Sequence, residues 1–241
     1  MKQFIKKAGA MILNILYPRC CPICHQILSD QKLLICPKCR VELKPYTGPR
    51  CMKCGKPVRD EEEYCPECSL RLRSFAEGRG IYLYDDRMKA SLVKYKYYGR
   101  REYGDFYAAA MCRYAEKEIR CWNPDLIIPI PLHPAKQRLR GFNQAEYLAD
   151  RLSAFFGIAA ASRILRKTKK TKSQKKLDAG ERRRNLKNAF EVTENLEGLR
   201  ILLIDDVYTT GSTMDAAAAC LIESGAEQVF FLTVCTGMDA G

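Results

Sequence analysis

Residues 201–213 read Ile201-Leu202-Leu203-Ile204-Asp205-Asp206-Val207-Tyr208-Thr209-Thr210-Gly211-Ser212-Thr213. Four consecutive apolar residues ended by two acids predict a strand buried on both faces, with both carboxylates delivered at its carboxyl end. The small, hydroxyl-rich turn that follows opens a stretch of helical spacing over 212–223. Backbone N–H groups and hydroxyls of such a turn can receive a phosphate at the positive end of the helix. The acids just ahead of it are placed to accept hydrogen bonds from sugar hydroxyls, or to hold a hydrated Mg²⁺. Ser or Thr at a helix start is by itself often only an N-cap. The specificity lies in the combination of apolar run, acid pair, hydroxyl turn and helix. A Walker A loop is excluded because no GK[ST] is present, and a dinucleotide fingerprint because no GxGxxG follows a strand.

Outward from this stretch, strands and helices alternate. Strands are expected at 81–84, 126–130, near Phe190, at 200–206 and at 228–234. Helices are expected at 88–97, 102–119, 144–156 and 212–223. That alternation argues for an α/β unit with a mainly parallel sheet.

The chain ahead of it is of another kind. Cys21/Cys24, Cys36/Cys39, Cys51/Cys54 and Cys65/Cys68 are four CxxC pairs within 48 residues, separated by 11, 11 and 10 residues. Two thiolates at this spacing can turn toward one metal, and four complete a tetrahedral zinc site. Eight cysteines therefore predict two structural sites. Read sequentially they are Cys21/Cys24/Cys36/Cys39 and Cys51/Cys54/Cys65/Cys68; an interleaved pairing has compatible spacing. Redox pairs or disulfides are the competing reading, disfavoured by four regular repeats. His25 follows a ligand and could replace one, although the cysteine set is already complete. Cys112, Cys121, Cys220 and Cys235 are expected in the core.

The 241 residues carry 41 Lys+Arg against 28 Asp+Glu, a formal charge of +13, with 47% hydrophobic residues. That composition is globular rather than disordered, and no apolar run reaches the ~20 residues of a membrane span. Residues 1–17 imitate a signal peptide, with Lys2, Lys6 and Lys7 ahead of a short apolar stretch. Asn14 interrupts that stretch and no A-x-A-like cleavage site follows, so a short packed helix and a cytoplasmic location are expected. Residues 163–187 hold twelve basic and two acidic residues. Such a run attracts polyanions but is also an ordinary solvated loop.

The 201–213 stretch resembles the 5-phosphoribosyl-1-diphosphate (PRPP) motif of type I phosphoribosyltransferases. More narrowly, the chain from about residue 12 to 236 resembles the ComF family of late-competence proteins. The resemblance is carried further by Leu16-Tyr-Pro-Arg-Cys-Cys-Pro-Ile-Cys24, Lys94-Tyr95, Ile128-Pro-Ile-Pro-Leu-His133, Arg140-Gly-Phe-Asn-Gln144 and the Gln174…Leu177…Glu181-Arg182…Asn185…Phe190 pattern. Lys175-Lys176 stand where a small Thr-Gly-like pair would be expected. The resemblance implies a type I phosphoribosyltransferase-like, mainly parallel sheet with helices on both faces over 71–241. A small double zinc-ribbon module would precede it over 1–70.

Carried over, Asp205 and Asp206 would address the ribose hydroxyls, and Val207, Tyr208, Thr209, Thr210, Gly211, Ser212 and Thr213 would wrap the 5-phosphate. Pro131, Leu132 and His133 would form the diphosphate loop, with Arg140, Asn143 and Gln144 beside it, and 168–185 would be a mobile loop. Mg²⁺ would accompany PRPP. The implied chemistry is displacement of diphosphate by an acceptor that the sequence does not define; a PRPP sensor without turnover fits the same residues. The implied role is DNA uptake in natural transformation, with single-stranded DNA and a helicase-like protein as partners. Candidate DNA contacts are Lys94, Tyr95, Lys96, Arg100, Arg101, Lys167, Lys169, Lys170, Lys172, Lys175 and Lys176. In Lys94-Tyr-Lys-Tyr-Tyr98 cations alternate with aromatics, which suits stacked bases; tyrosines anchoring a helix explain the pattern equally. Asn143 and Phe142 could likewise be a cap and a packing residue, and His133 a loop residue with structural bonds.

Overall fold

The computed structural model describes residues 18–168 and 189–238. The expected N-terminal helix and Lys169, Lys170, Lys172, Lys175 and Lys176 lie outside the described residues. Seven strands are described: β1 (Glu77–Leu83), β2 (Leu126–Pro129), β3 (Ala159–Ala160), β4 (Leu165–Lys167), β5 (Phe190–Val192), β6 (Arg200–Tyr208) and β7 (Gln228–Thr236). The helices are α1 (Pro37–Glu42), α2 (Pro66–Ser69), α3 (Asp86–Tyr97), α4 (Tyr103–Tyr114), α5 (Glu116–Trp122), α6 (Pro134–Arg140), α7 (Gln144–Phe156) and α8 (Ser212–Glu223).

Ile201, Leu202, Leu203 and Ile204 are wholly buried, because β6 is the central strand of a five-stranded sheet in the order β1-β7-β6-β2-β3. Every pairing in it is parallel: Leu126 faces Ile201 on one side of β6, and Arg200 faces Gln228 on the other. Alternate residues serve opposite faces. Leu202, Ile204, Phe230 and Leu232 join a core with Met88, Leu92 and Tyr95 of α3, Tyr107 of α4 and Leu148 of α7. Ile201, Leu203, Val229 and Phe231 join a second core with Met214, Ala217 and Leu221 of α8 and with Leu165 and Phe190. Each fully buried aliphatic side chain contributes about 1.5–3 kcal/mol. The antiparallel pair β4–β5 forms a separate small ribbon.

The cysteine-rich stretch does not stand apart from this sheet. Cys20, Cys21, Ile23, Leu28, Ile35, Cys39 and Leu43 belong to the first core, whereas Cys51, Cys54 and Cys65 belong to the second. Modules this small bury too little surface to stabilise themselves, and here each half borrows one face of the sheet. Together they cover the edge strand β1, which would otherwise present unpaired backbone groups. Tyr46 N–H donates to Ile81 O at 2.9 Å, and Arg50 donates to Gly80 O at 3.2 Å. Gly55 has φ +70°, and a Cβ there would lie 2.4 Å from Gly78 O, so only glycine permits this approach.

Several expectations are refined. The helix expected over 102–119 is two helices, α4 and α5, broken at Ala115 (φ −118°). Helix α6 was not foreseen, although Pro134 at its start and Gly141 (φ +74°) at its end are the usual punctuation. Cys112 and Cys235 are buried as expected, but Cys121 is exposed on α5 and Cys220 only half-buried. No described helix is long and apolar enough to cross a membrane.

Candidate functional site: an acid pair, a hydroxyl turn and two four-cysteine centres

Parallel strands aim the acid pair and the 131–133 loop at the same end of the sheet, where open α/β sheets bind ligands. The β2 ladder continues one step beyond the strand, with Ile130 N–H donating to Ile204 O at 2.8 Å. This fixes the loop of Pro131, Leu132 and His133, all half-buried, beside Asp205 and Asp206. Asn143 fastens the loop from the other side. Its amide donates to Ile130 O at 3.1 Å, and its carbonyl oxygen accepts from Ala145 N–H at 3.2 Å as the N-cap of α7. Phe142 packs edge-on against Tyr95. The cap-and-packing reading of Phe142-Asn143 is therefore the one the geometry supports. Gln144 is buried too, and its carboxamide oxygen accepts from Arg140 at 2.8 Å. His133 Nδ1 accepts from Ala135 N–H at 3.2 Å, capping α6.

The two carboxylates differ. Asp206 is buried and paired with the Lys96 ammonium. Burial opposes its charge, yet Lys96 beside it holds its carboxyl below the ordinary range. Asp205 is half-buried, and burial together with the Asp206 charge pushes its carboxyl well above the ordinary range. Such divergence between neighbouring acids is shared by functional sites and by structural ion-pair networks. Further cations surround the pair. Lys96 senses Arg140, and the Lys167 pKa is lowered by burial and by Lys136, with Asp205 opposing. Tyr84, at the end of β1, senses both Lys96 and Asp206.

Beyond the acids, Gly211 (φ +73°) turns the chain into α8, and no side chain caps this helix. Thr210 Oγ1 and Ser212 Oγ lie 3.0 Å apart at its mouth. Val207, Thr210, Ser212 and Thr213 are half-buried and Thr209 exposed, whereas Tyr208 is buried beneath the turn. An uncapped helix start with hydroxyls around it is suited to an anion.

The proposed DNA contacts separate. Tyr95 is wholly buried, its hydroxyl donating to Gln144 O at 3.2 Å, so it cannot stack on a base. Lys96 belongs to the acid pair rather than to a surface. The reason is helical periodicity: Met88, Leu92 and Tyr95 form the inward stripe of α3, and Lys96 flanks it on the side of β6. Lys94 and Arg100 are half-buried, Arg100 near Glu102 at 3.4 Å. Arg101 is exposed and lies over the Phe142 ring. Tyr97 and Tyr98, part of the alternating stretch but not among the candidate contacts, are exposed, and Arg140 lies 4.6 Å above the Tyr97 ring. Lys167 lies 5.2 Å from the Phe190 ring.

The eight cysteines gather sequentially, as Cys21/Cys24/Cys36/Cys39 and Cys51/Cys54/Cys65/Cys68, with all sulfurs of a set within 4.8 Å of one another. The interleaved pairing is thereby excluded. Sulfurs of Cys24 and Cys36 are 3.8 Å apart and those of Cys54 and Cys65 3.6 Å. A tetrahedron with Zn–S of about 2.3 Å requires about 3.8 Å, so the donor sets fit zinc. Cys39 N–H points at Cys36 Sγ at 3.4 Å, as thiolate ligands require. His25 is not in either set; its Nδ1 lies 3.1 Å from the Tyr103 hydroxyl.

Comparison with known proteins finds both parts of the chain in known families. Residues 12–69 match the double zinc ribbon domain and residues 107–240 the phosphoribosyl transferase domain. Competence protein ComFC of Bacillus subtilis is 34% identical over 81% of this chain and 80% of its own length. Competence protein F of Haemophilus influenzae is 29% identical over 87% of this chain and 93% of its own. DNA utilization protein YhgH of Salmonella typhimurium is 30% identical over 90% of this chain and 97% of its own. Among solved structures, a purine phosphoribosyltransferase from Pyrococcus horikoshii aligns with 16% identity and a TM-score of 0.34, over 56% of this chain and 82% of its own. A double zinc ribbon joined to a phosphoribosyltransferase domain, with relatives alike over most of their length, places the chain in the ComF family.

Proposed function

We propose that the protein binds PRPP with Mg²⁺ at the carboxyl end of β6, handles single-stranded DNA on the adjoining basic surface, and serves DNA uptake in the cytoplasm, with a helicase-like protein as a further partner. The observation that carries the first part is the Asp205–Asp206 pair, neutralised by Lys96 and followed at once by an uncapped, hydroxyl-rich helix start. PRPP needs acceptors for its ribose hydroxyls and donors for its 5-phosphate, which this sequence of groups supplies. Lys136, Arg140 and Lys167 offer positive charge for the diphosphate, and Mg²⁺ would supply more. DNA handling draws support from exposed Tyr97, Tyr98 and Arg101, with Arg140 stacked on Tyr97, and from the similarity to competence and DNA-utilization proteins.

A second reading, pentosyl transfer to an acceptor, is favoured by a recess of about 300 Å³ beside the turn. It is lined by Lys56, Glu67, Tyr84, Thr209, Thr210, Gly237 and Met238. Its volume lies at the lower end of small-molecule sites. A mass-spectrometric turnover screen with PRPP, Mg²⁺, bases and nucleic acids separates the two. Diphosphate release tied to one acceptor supports transfer; saturable PRPP binding without release supports the sensor.

A further inference from the structure

The second cysteine centre reaches the phosphate turn through two side chains, Arg73 and Tyr208. Arg73 lies between α2 and β1 with its side chain only 4% exposed. Its Nη2 donates to Thr210 O at 3.4 Å and reaches Glu67 Oε2 at 3.5 Å, while Nη1 lies 3.5 Å from Asp215 Oδ2. Glu67 immediately precedes the ligand Cys68, Thr210 is in the turn, and Asp215 is in the first turn of α8. Ser74 N–H adds a bond to Asp215 Oδ1 at 2.8 Å. Beneath the turn, the Tyr208 ring stacks on Phe231 at 4.6 Å and meets the edge of Phe75. Its buried hydroxyl lies beside Cys54 and under Gly211, where a Cβ would approach it to 2.3 Å. A zinc-bound thiolate at Cys54 would accept a hydrogen bond from this hydroxyl, which has no other hydrogen-bond partner among the described residues. The first centre lies elsewhere: it packs in the core of the opposite face, with His25 against Tyr103 of α4.

We propose that the second zinc site is a positioning element of the phosphate turn. Arg73 and Tyr208 are the positioning residues that link Cys51/Cys54/Cys65/Cys68 to residues 209–213. This rests on the turn being a PRPP site and adds that its ligand affinity depends on one of the two zinc ions. Linkage makes the dependence reciprocal: PRPP must then tighten the zinc at that site by the same factor that zinc tightens PRPP.

The test is zinc release from the full-length protein to a chromogenic chelator, with and without saturating PRPP and Mg²⁺. Cys39→Ser and Cys65→Ser identify which phase belongs to which site. PRPP is expected to retain zinc at the second site by about fivefold or more, within the usual range of coupling, and to leave the first site unchanged. Arg73→Met, holding two zinc ions, is expected to lose this dependence and to bind PRPP about tenfold more weakly, with Arg73→Lys partly restoring both. A residue that served stability alone would lower the melting point and leave the zinc response to PRPP intact. PRPP that binds by calorimetry yet leaves second-site release unchanged overturns the coupling only. PRPP that does not bind the wild-type protein overturns the site reading and the coupling together. Should Arg73→Met fail to fold, the wild-type release measurement decides by itself.

Discussion

Lys96→Met removes the ammonium beside Asp206 while keeping most of the apolar stem. Side-chain exposure is 18% for Lys96 and 10% for Asp206, so solvent screens this pair little. Breaking a buried pair from one side costs about 3–5 kcal/mol. Protonation of a carboxylate can relieve part of that, which places the loss near 3 kcal/mol at pH 7.5. For a chain of this size that lowers Tm by about 6–12 °C. In the wild type, burial opposes the Lys96 charge, yet Asp206 raises its pKa, so its contribution persists at every pH below the ordinary lysine range. The lowered Asp206 pKa adds stability above the ordinary carboxylate range, lost only in acid. In the variant both carboxylates lie beside one another without the cation, and the folded state binds more protons than the unfolded one. Its stability then falls as pH rises. Denaturant titrations of zinc-loaded protein at pH 5.5, 6.5 and 7.5 should show a gap that widens with pH. A gap under about 1 kcal/mol at pH 7.5, or one that narrows with rising pH, refutes the assignment of Lys96 to the acid pair.

Gly211→Ala would place a Cβ 2.3 Å from the Tyr208 hydroxyl at φ +73°. It is expected to cost about 1–3 kcal/mol by denaturation midpoint and to weaken PRPP binding by calorimetry; an unchanged affinity would remove the turn from the site. Tyr97→Ala with Arg140→Ala should weaken single-stranded DNA by an amount set by one stacked base, about 1–3 kcal/mol, in fluorescence anisotropy. Charge reversal across residues 167–176 should flatten the slope of log affinity on log salt, and a wild-type slope would mean that the segment is not the DNA surface. Because both cysteine centres share cores with the sheet, stripping zinc should lower the melting point of the whole chain in one calorimetric transition. A native-like melt of the α/β part after stripping would contradict that integration.

The acid pair, the turn and the eight ligands were legible because each depends on local spacing: a strand ending in two acids, a glycine at a helix start, cysteines paired with two residues between them. Zinc pairing was not legible, since gaps of 10 and 11 residues suit either arrangement, and only the fold brings Cys39 to Cys21 rather than to Cys65. Lys96 was misassigned because cation–aromatic alternation reads as surface; the 88, 92, 95 spacing, followed through, turns Tyr95 inward and carries Lys96 toward β6. The contacts of Arg73 with Thr210 and Asp215 join residues more than 130 positions apart and leave no pattern in the chain. The change of composition near residue 70 suggested two units, yet the apolar residues between the cysteines complete the cores of the sheet.

The central claim is tested most directly by titrating PRPP and Mg²⁺ into zinc-loaded wild-type protein and into Asp205→Asn/Asp206→Asn by isothermal calorimetry, with circular dichroism and zinc content measured on both. The expected result is saturable, Mg²⁺-dependent binding in the wild type and its loss in a folded double variant holding two zinc ions. Equal PRPP affinity in the two proteins would contradict the account.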